Sequence, residues 1–141
     1  MKNNNGLALS LSKGFTLIEI LVVTSIIVLL TATAVVTYTT FLKQSRDARR
    51  KSELGQLSVA LEMYRSNNDT YPTVGLSQLT APSIYIQSVP TDPKNPTYTY
   101  YYTGAVSDYT LGAYLENGGT TCVVGQCGGN CNYCLGPYGQ K

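Results

Sequence analysis

The chain of 141 residues has the length of one domain with accessory segments, and it is 43% hydrophobic but only 13% charged. It contains no histidine, which excludes Ser-His-Asp and Cys-His catalysis and every histidine-containing metal site. A formal net charge of +2 does not indicate a nucleic-acid-binding surface. Because no phosphate loop, dinucleotide fingerprint or paired-carboxylate motif is present, we expect neither an enzyme nor a cofactor.

The first predicted element is an apolar helix over residues 15–42, in which Glu19 is the only charged residue. A helix of this length reaches about 42 Å, which exceeds the hydrocarbon core of a bilayer, about 30 Å thick. The run is far longer than the core of a secretory signal peptide, which has about 7–15 residues. The sequence therefore predicts a membrane-spanning helix, and it raises the question of why a costly carboxylate lies near its start.

The helix is predicted to continue over residues 43–68, because no proline interrupts this stretch. It begins with a basic cluster, which we expect to meet anionic lipid, to meet acidic groups of neighbouring subunits, or to form a solvated helix face: Lys43, Arg46, Arg49, Arg50 and Lys51. Apolar residues then recur at steps of three and four and so share one face that must be buried: Leu54, Leu57, Leu61 and Tyr64. We expect the helix to end near Asn67-Asn68, before Pro72.

The remainder, residues 69–141, is predicted to form a small β-rich head. Prolines punctuate residues 73–96, where "LSQLTAP" has room for a short helical turn. The stretches "TYTYYYT", 97–103, and "YTLGAYLE", 109–116, indicate a β-hairpin whose tyrosines pack against the helix. The predicted fold class is therefore α+β, with a long N-terminal helix on a small antiparallel sheet and a cysteine-containing C-terminal tail.

The glycine-rich tail carries all four cysteines of the chain: Cys122, Cys127, Cys131 and Cys134. The tail has few large apolar groups, so hydrophobic burial alone is insufficient to order it. An even number of cysteines is typical of disulfides in an oxidising compartment. We predict two intramolecular disulfides that hold the tail against the hairpin, with three pairings open. A four-thiolate zinc site is the alternative.

Two stretches resemble the type IV pilin and type II secretion pseudopilin family. The first is "KGFTLIEILVVTS", Lys13–Ser25, in which a basic residue, Gly, Phe, Thr and Leu precede a glutamate within an apolar run. The second, residues 46–72, resembles the end of the first helix of secretion pseudopilins. The later loop and hairpin are also similar, so the resemblance covers residues 12–116 and leaves out the cysteine tail.

The resemblance implies that a prepilin peptidase cuts after Gly14, which removes residues 1–14 as a leader. The same enzyme is expected to methylate the new N-terminal residue, Phe15. The glutamate four residues further on, Glu19, is the hallmark of the family. We expect it to pair with the N-terminal amine of Phe15 of a neighbouring subunit and so to set the register between packed helices. The alternative is that Glu19 only snorkels to the headgroup region.

The implied function is that of a structural subunit of a type IV pilus-like filament. Expected partners are other copies of the chain, the prepilin peptidase, an inner-membrane assembly machinery and, before assembly, the membrane; nucleic acid is expected only at a tip. The leader should be cytoplasmic and the C-terminal domain outside, later in an extracellular or periplasmic filament. The basic cluster after the apolar helix, taken alone, favours the opposite orientation.

Three alternatives stay open: a type II secretion pseudopilin, a DNA-uptake pilin, and a monomeric membrane-anchored binding module that tolerates replacement of Glu19. Many pilins and pseudopilins carry a proline or glycine in the apolar helix, whereas this one has neither over residues 15–42, so we expect it to stay continuous. Some pseudopilins bind calcium, but no spacing of Asp92, Asn95 and Asp108 resembles a calcium loop, so no metal is predicted.

Overall fold

The computed structural model describes residues 14–120, 122 and 125–141. The predicted leader, apart from Gly14, lies outside these residues. The chain divides into two compact units, of which the first ends at Tyr38 and the second is Thr39–Lys141. The predicted segments 1–14, 15–42, 43–68 and 69–141 depend on processing and assembly, which this division does not test, and they stay predictions.

Helix α1, Leu17–Asn68, comprises 52 residues without a break, as the lack of helix-breaking residues in its apolar part predicts. The helix ends at Asp69, which has a left-handed φ of 59° and whose N–H donates to the carbonyl of Arg65 at 2.8 Å. This arrangement commonly ends helices, because it satisfies a carbonyl that has no partner within the last turn. The predicted end near Asn68 is confirmed.

A short 3-10 helix, Leu76–Leu79, follows α1 and confirms the predicted helical turn. The chain then forms a four-stranded antiparallel sheet in which the strands are adjacent in sequence order: β1, Tyr101–Gly104; β2, Tyr109–Ala113; β3, Tyr133–Gly136; and β4, Gly139–Gln140. In the register of the sheet, Leu111 of β2 lies between Tyr102 of β1 and Leu135 of β3.

Helix α1 packs its predicted apolar stripe on one face of this sheet. The side chains of Leu54, Leu57 and Leu61 are fully buried and belong to one cluster with Leu111. Full burial of a leucine contributes about 1.5–3 kcal/mol, so these residues form the main apolar core of the second unit. Tyr100 and Tyr102 pack against the same cluster, which confirms the predicted role of these two tyrosines.

The opposite face of the sheet is covered by the cysteine tail. Because side chains alternate along a strand, Tyr101 points away from the α1 core and packs with Cys127, Cys131 and Cys134. A Cβ at Gly112 would lie 3.0 Å from Sγ of Cys131, so the tail approaches β2 closely at this glycine. Consequently all residues of β2 are buried, with α1 on one face and the tail on the other.

The α+β fold class is confirmed, but the sheet is larger than the sequence predicts. We predicted two strands in the sheet, with the tail held against them by disulfides alone. The tail itself contributes β3 and β4, and β3 pairs directly with β2. Its sequence, "YCLG", is too short and too rich in glycine and cysteine to be recognised as a strand by its period.

Candidate assembly site

The predicted cleavage bond, Gly14–Phe15, lies just before helix α1. Neither residue belongs to a regular element, both are exposed, and Phe15 is 78% exposed. An exposed peptide bond outside regular structure is a favourable protease substrate, because its backbone is not engaged in a ladder of hydrogen bonds. The cleavage and the methylation of Phe15 stay predictions.

Thr16 and Glu19 form a capping box at the start of α1. The N–H and the hydroxyl of Thr16 both lie 3.4 Å from Oε2 of Glu19, and the N–H of Glu19 donates to Oγ1 of Thr16 at 3.3 Å. These reciprocal bonds satisfy backbone donors that have no partner within the helix. Glu19 therefore has a role in its own chain that the sequence argument missed. The spacing Thr-x-x-Glu was the signal that could have shown it.

The stretch Leu17–Val35 of α1, 19 residues long, is apolar enough to cross a membrane, and none of it is buried within the chain. Its hydroxyl groups bond to carbonyls one turn earlier: Oγ of Ser25 donates to Val22 at 2.7 Å, and Oγ1 of Thr31 donates to Ile27 at 2.7 Å. Such bonds reduce the cost of placing hydroxyls in an apolar environment. The helix can therefore enter either hydrocarbon or a bundle of apolar helices.

In the second unit, the buried guanidinium of Arg50 binds three carboxylates. Its Nε and Nη2 donate to the two oxygens of Asp92 at 2.7 and 3.0 Å, and Nη1 donates to Asp47 at 2.9 Å and Glu116 at 3.0 Å. Asp47 also accepts the backbone N–H groups of Glu116 and Asn117, each at 2.9 Å. Burial acts to lower the pKa of Arg50, but the hydrogen bonds to Asp92 and Glu116 outweigh it and raise the pKa. The buried guanidinium therefore stays charged.

Glu116 connects this network to two further cations. Nε and Nη2 of Arg46 donate to its two oxygens at 2.6 and 2.7 Å, and Nζ of Lys94 donates at 3.0 Å. The hydrogen bond from Arg46 is the largest cause of a pKa of Glu116 well below its usual range. The cluster, here called the ion network, balances three cations with three carboxylates: Arg46, Arg50, Lys94, Asp47, Asp92 and Glu116.

The prediction for the basic cluster is wrong for Arg50, because its guanidinium is fully buried and binds carboxylates of its own chain. Arg46, which is partly exposed, also binds a carboxylate of its own chain, Glu116. By contrast, Arg49 is exposed and pairs with Glu53, one helix turn further on, at 2.8 Å. The carboxylate that binds Arg50 bidentately is 42 positions away, in the proline-rich loop. No local spacing in the sequence indicates such a contact.

The structure joins the cysteines as Cys122–Cys134 and Cys127–Cys131, a choice among pairings that the sequence left open. The first bond ties the start of the tail to strand β3, and the second closes a turn over Gly112. All four sulfurs are bonded, so no thiolate remains for the alternative zinc site.

The loop carboxylates considered as calcium ligands are bound to side-chain cations. Asp92 binds Arg50, and Asp108 accepts two bonds from Nζ of Lys141, at 2.8 and 2.9 Å. The bond from Lys141 is the largest cause of a lowered pKa of Asp108. Within the part of the chain that the structure describes, no three His, Cys, Asp or Glu side chains are grouped to hold a metal ion.

Comparison with known proteins leads to the same family as the N-terminal motif. A family model described as type II secretion system protein G matches residues 37–123, which is more than half of the chain. The chain belongs to the type IV pilin and type II secretion pseudopilin family. The match begins within the apolar helix and includes the ion network, the leucine stripe and strands β1 and β2, so it depends on different residues from the motif at Lys13–Ser25.

The relatives divide into secretion and fimbrial proteins. The type II secretion system core protein G of Pseudomonas aeruginosa is 31% identical over 124 residues, which cover 76% of this chain and 87% of that protein. The core protein G of Vibrio cholerae is 31% identical over 122 residues, with 75% and 84% covered. The type IV major fimbrial protein FimA of Dichelobacter nodosus is 45% identical over 53 residues, 38% of this chain. The chain thus spans about a third, 34%, of the fimbrial relative. No solved structure matches significantly.

Members of this pilin and pseudopilin family are structural subunits that assemble into pilus or pseudopilus filaments, and they are not enzymes. The apolar helix and the secretion-system relatives fit a subunit that is first anchored in a membrane and then enters an extracellular or periplasmic filament.

Proposed function

We propose that the chain is the structural subunit of a type IV pilus-like filament and that it polymerises through its N-terminal helix. The observation that carries the proposal is the stretch Leu17–Val35, an exposed apolar surface with one carboxylate, Glu19, in the first turn of its helix. Cleavage after Gly14 would place a cationic amine at Phe15, four residues from that carboxylate. In a bundle of such helices, Glu19 of one copy binds the amine of a neighbour, and this pairing sets the axial register.

The capping box leaves Glu19 able to make this second contact. Both bonds from Thr16 go to Oε2, and no bond to Oε1 is found among the described residues. An ionised carboxylate has about four acceptor positions, so one oxygen can cap the helix while the other accepts an ammonium group. The two roles predict different responses to substitution.

Processing follows from the same proposal. The mature chain begins at Phe15 and carries one methyl group on its amine, added by a prepilin peptidase. An intact-mass measurement on filament material tests this step. A mass that corresponds to a chain beginning at Met1 contradicts the proposal.

The orientation proposed for the subunit places the leader in the cytoplasm and the second unit outside. The two disulfides support this, because such bonds persist in oxidising compartments and are rare in the cytosol. Assembly then requires an inner-membrane machinery that supplies the driving force, and the membrane holds the subunit until it is extracted.

The decisive experiment compares two substitutions in the full chain and counts filaments by electron microscopy. Glu19→Gln keeps a side chain that can complete a capping box but removes the charge. Thr16→Val removes the hydroxyl of the capping box but keeps the carboxylate. We expect Glu19→Gln to insert into the membrane normally and to lose filaments, whereas Thr16→Val retains them.

The outcomes separate the alternatives. Normal filaments with Glu19→Gln would show that capping, not charge pairing, is the role of Glu19. The conclusion would be the same if Thr16→Val loses filaments and Glu19→Gln keeps them, provided that the N-terminus of Thr16→Val is processed normally. If wild-type cells form no filaments and the chain keeps its leader, the monomeric membrane-anchored module is the better description.

A pseudopilin of a type II secretion system is the second candidate. The observation that favours it is coverage: the match extends over 87% of the protein G of P. aeruginosa but over 34% of the fimbrial protein. Deletion of the chain would then abolish secretion of folded exoproteins, while surface filaments, adhesion and DNA uptake stay normal. The reverse pattern identifies a surface pilus.

A further inference from the structure

The turn after strand β2 carries an Asn-Gly sequence at Asn117 and Gly118. Among the residues that the structure describes, this sequence occurs only here, since the second Asn-Gly of the chain, at Asn5 and Gly6, lies within the predicted leader. Asn117 belongs to the turn, and both residues are exposed. Asparagine is a chemically labile residue, and a following glycine leaves its side chain most open to attack by the next backbone nitrogen, because glycine has no Cβ to obstruct the approach.

The backbone around Gly118 leaves the attacking nitrogen accessible. Gly118 has a φ of 87°, in the left-handed region that favours glycine, and a Cβ at this position would meet nothing within 4 Å. No hydrogen bond from the N–H of Gly118 is found in the part of the chain that the structure describes. An N–H that is not held by a partner can lose its proton to water and act as a nucleophile.

The side chain of Asn117 contacts Asp47 of helix α1. Its Nδ2 donates to Oδ2 of Asp47 at 3.2 Å, and its backbone N–H donates to the same oxygen at 2.9 Å. The other oxygen of Asp47 accepts Nη1 of Arg50 and the N–H of Glu116, both at 2.9 Å. Asp47 is buried. The amide of Asn117 thus places a donor beside a buried carboxylate of the ion network.

We propose that Asn117 is a site of spontaneous deamidation in the folded chain and that the reaction loosens the turn from α1. The backbone nitrogen of Gly118 forms a bond to Cγ of Asn117, and the bond from Cγ to Nδ2 breaks. The proton of the attacking N–H leaves with Nδ2 as ammonia. Water then adds to one of the two carbonyls of the cyclic imide and opens it to aspartate or isoaspartate. Water is the only co-reactant, and no group is oxidised or reduced.

The product reverses the contact with Asp47. The amide nitrogen of asparagine supplies donors, whereas an ionised carboxylate only accepts. After the reaction a carboxylate faces Oδ2 of Asp47, in a network that already balances three cations with three carboxylates. Like charges repel strongly at such a site, because buried groups are screened little by salt. The turn after β2 is therefore a point at which the second unit weakens as the protein ages.

The test uses the full chain in detergent and does not depend on the filament function. The folded chain is incubated at mildly alkaline pH in water enriched in heavy oxygen, so that only products formed before digestion carry the label. Digestion and mass spectrometry then locate the labelled peptides. We expect label to accumulate in the peptide that contains Asn117, as a mixture of aspartate and isoaspartate, the two products of a cyclic imide.

Asn132 is the matched internal control. Its Oδ1 accepts the N–H of Leu115 at 2.6 Å, its Nδ2 donates to the carbonyl of Leu115 at 2.9 Å, and Tyr133 follows it. We expect no label at Asn132. Gly118→Ala adds a Cβ to the attacking residue and should lose the label at position 117. Asn117→Gln, which moves the amide one methylene further from the backbone, makes the same comparison if Gly118→Ala does not form the correct disulfides.

Substitutions at position 117 measure the consequence. Asn117→Asp carries the product side chain, whereas Asn117→Ala removes the donor without adding a charge. We expect Asn117→Asp to raise the unfolding equilibrium constant about tenfold, because a hydrogen bond to a charged group is lost and repulsion is added, and Asn117→Ala to raise it less. Resistance of the full chain to protease at increasing urea concentration measures both.

Three results would overturn the inference. The first is label at Asn117 only after the chain has been unfolded in urea, or equal label at Asn132. The second is aspartate without isoaspartate, which excludes the cyclic imide. The third is unchanged stability of Asn117→Asp, which means that the turn is modified without weakening the unit. A chain that forms no filaments would change none of these measurements, so failure of the proposed function is recognised separately.

Discussion

Helix α1 contains two apolar stretches that have opposite relations to the rest of the chain. The side chains of Leu17–Val35 are all exposed, whereas Leu54, Leu57 and Leu61 are fully buried against the sheet. Both stretches are helical, so helix formation does not distinguish them. The first is apolar on every side and needs an apolar environment from outside the chain, while the second is apolar on one face and finds its partner within it. One helix thus serves assembly at one end and folding at the other.

The largest expected effect concerns the buried apolar stretch of α1. Leu57→Asp places an unpaired charge in the core, and the fragment Thr39–Lys141 should lose several kcal/mol of unfolding free energy, enough to abolish its cooperative transition. Val59→Asp, two residues away and 55% exposed, should change that stability little. Denaturant unfolding monitored by circular dichroism measures both. Equal effects would mean that the stripe is not the core of the unit.

The ion network is the next most sensitive element. Arg50→Ala leaves the carboxylates of Asp92 and Asp47 without their side-chain cation, while Glu116 keeps Arg46 and Lys94, and it should cost about 3–5 kcal/mol. The adjacent Arg49 is exposed, so Arg49→Ala should have little effect on the unfolding of the same fragment. A small effect of Arg50→Ala would show that water or other cations replace the guanidinium.

A fall in pH should weaken the ion network. The pKa of Glu116 is lowered in the folded state, so its contribution to stability is complete above its unfolded pKa of about 4.3 and is lost as the pH falls below that value. We expect the urea midpoint of the fragment to drop between about pH 5 and about pH 3. Glu116→Gln should be less stable at neutral pH and should show a smaller drop. An unchanged pH dependence in this variant would assign the acid sensitivity to other carboxylates.

The smallest expected effect sharpens the difference between folding and assembly. Gly55→Ala should stabilise the isolated fragment by about 0.5–1 kcal/mol, because the helix gains a better former and the added methyl meets no atom within 4 Å. The thermal unfolding midpoint of the fragment measures this gain. A loss of stability would mean that the glycine is required within the chain.

The sequence by itself determined the elements whose information is local. The apolar run with Glu19, the three-and-four spacing of the leucines and the absence of proline before Pro72 were sufficient to predict α1 and its buried face. The alternating stretches around Gly104–Asp108 predicted the β1–β2 hairpin, and the motif at Lys13–Ser25 predicted the family. In each case the signal lies within one helix turn or one strand pair, where backbone geometry fixes which residues are neighbours.

The tertiary structure decided the contacts between distant residues. It paired Cys122 with Cys134, added the tail to the sheet as β3 and β4, and buried Arg50 against Asp92, 42 positions further on. Such pairings depend on how the loops close and on which face of β2 is still uncovered once α1 has packed on the other. Composition hardly indicates these pairings, because the sequence of a basic helix segment or of a glycine-rich tail is the same whether the segment is solvated or buried. The physical reason is that long-range contacts are selected by the geometry of the whole unit, whereas periodicity reports only on residues that are already neighbours along the chain.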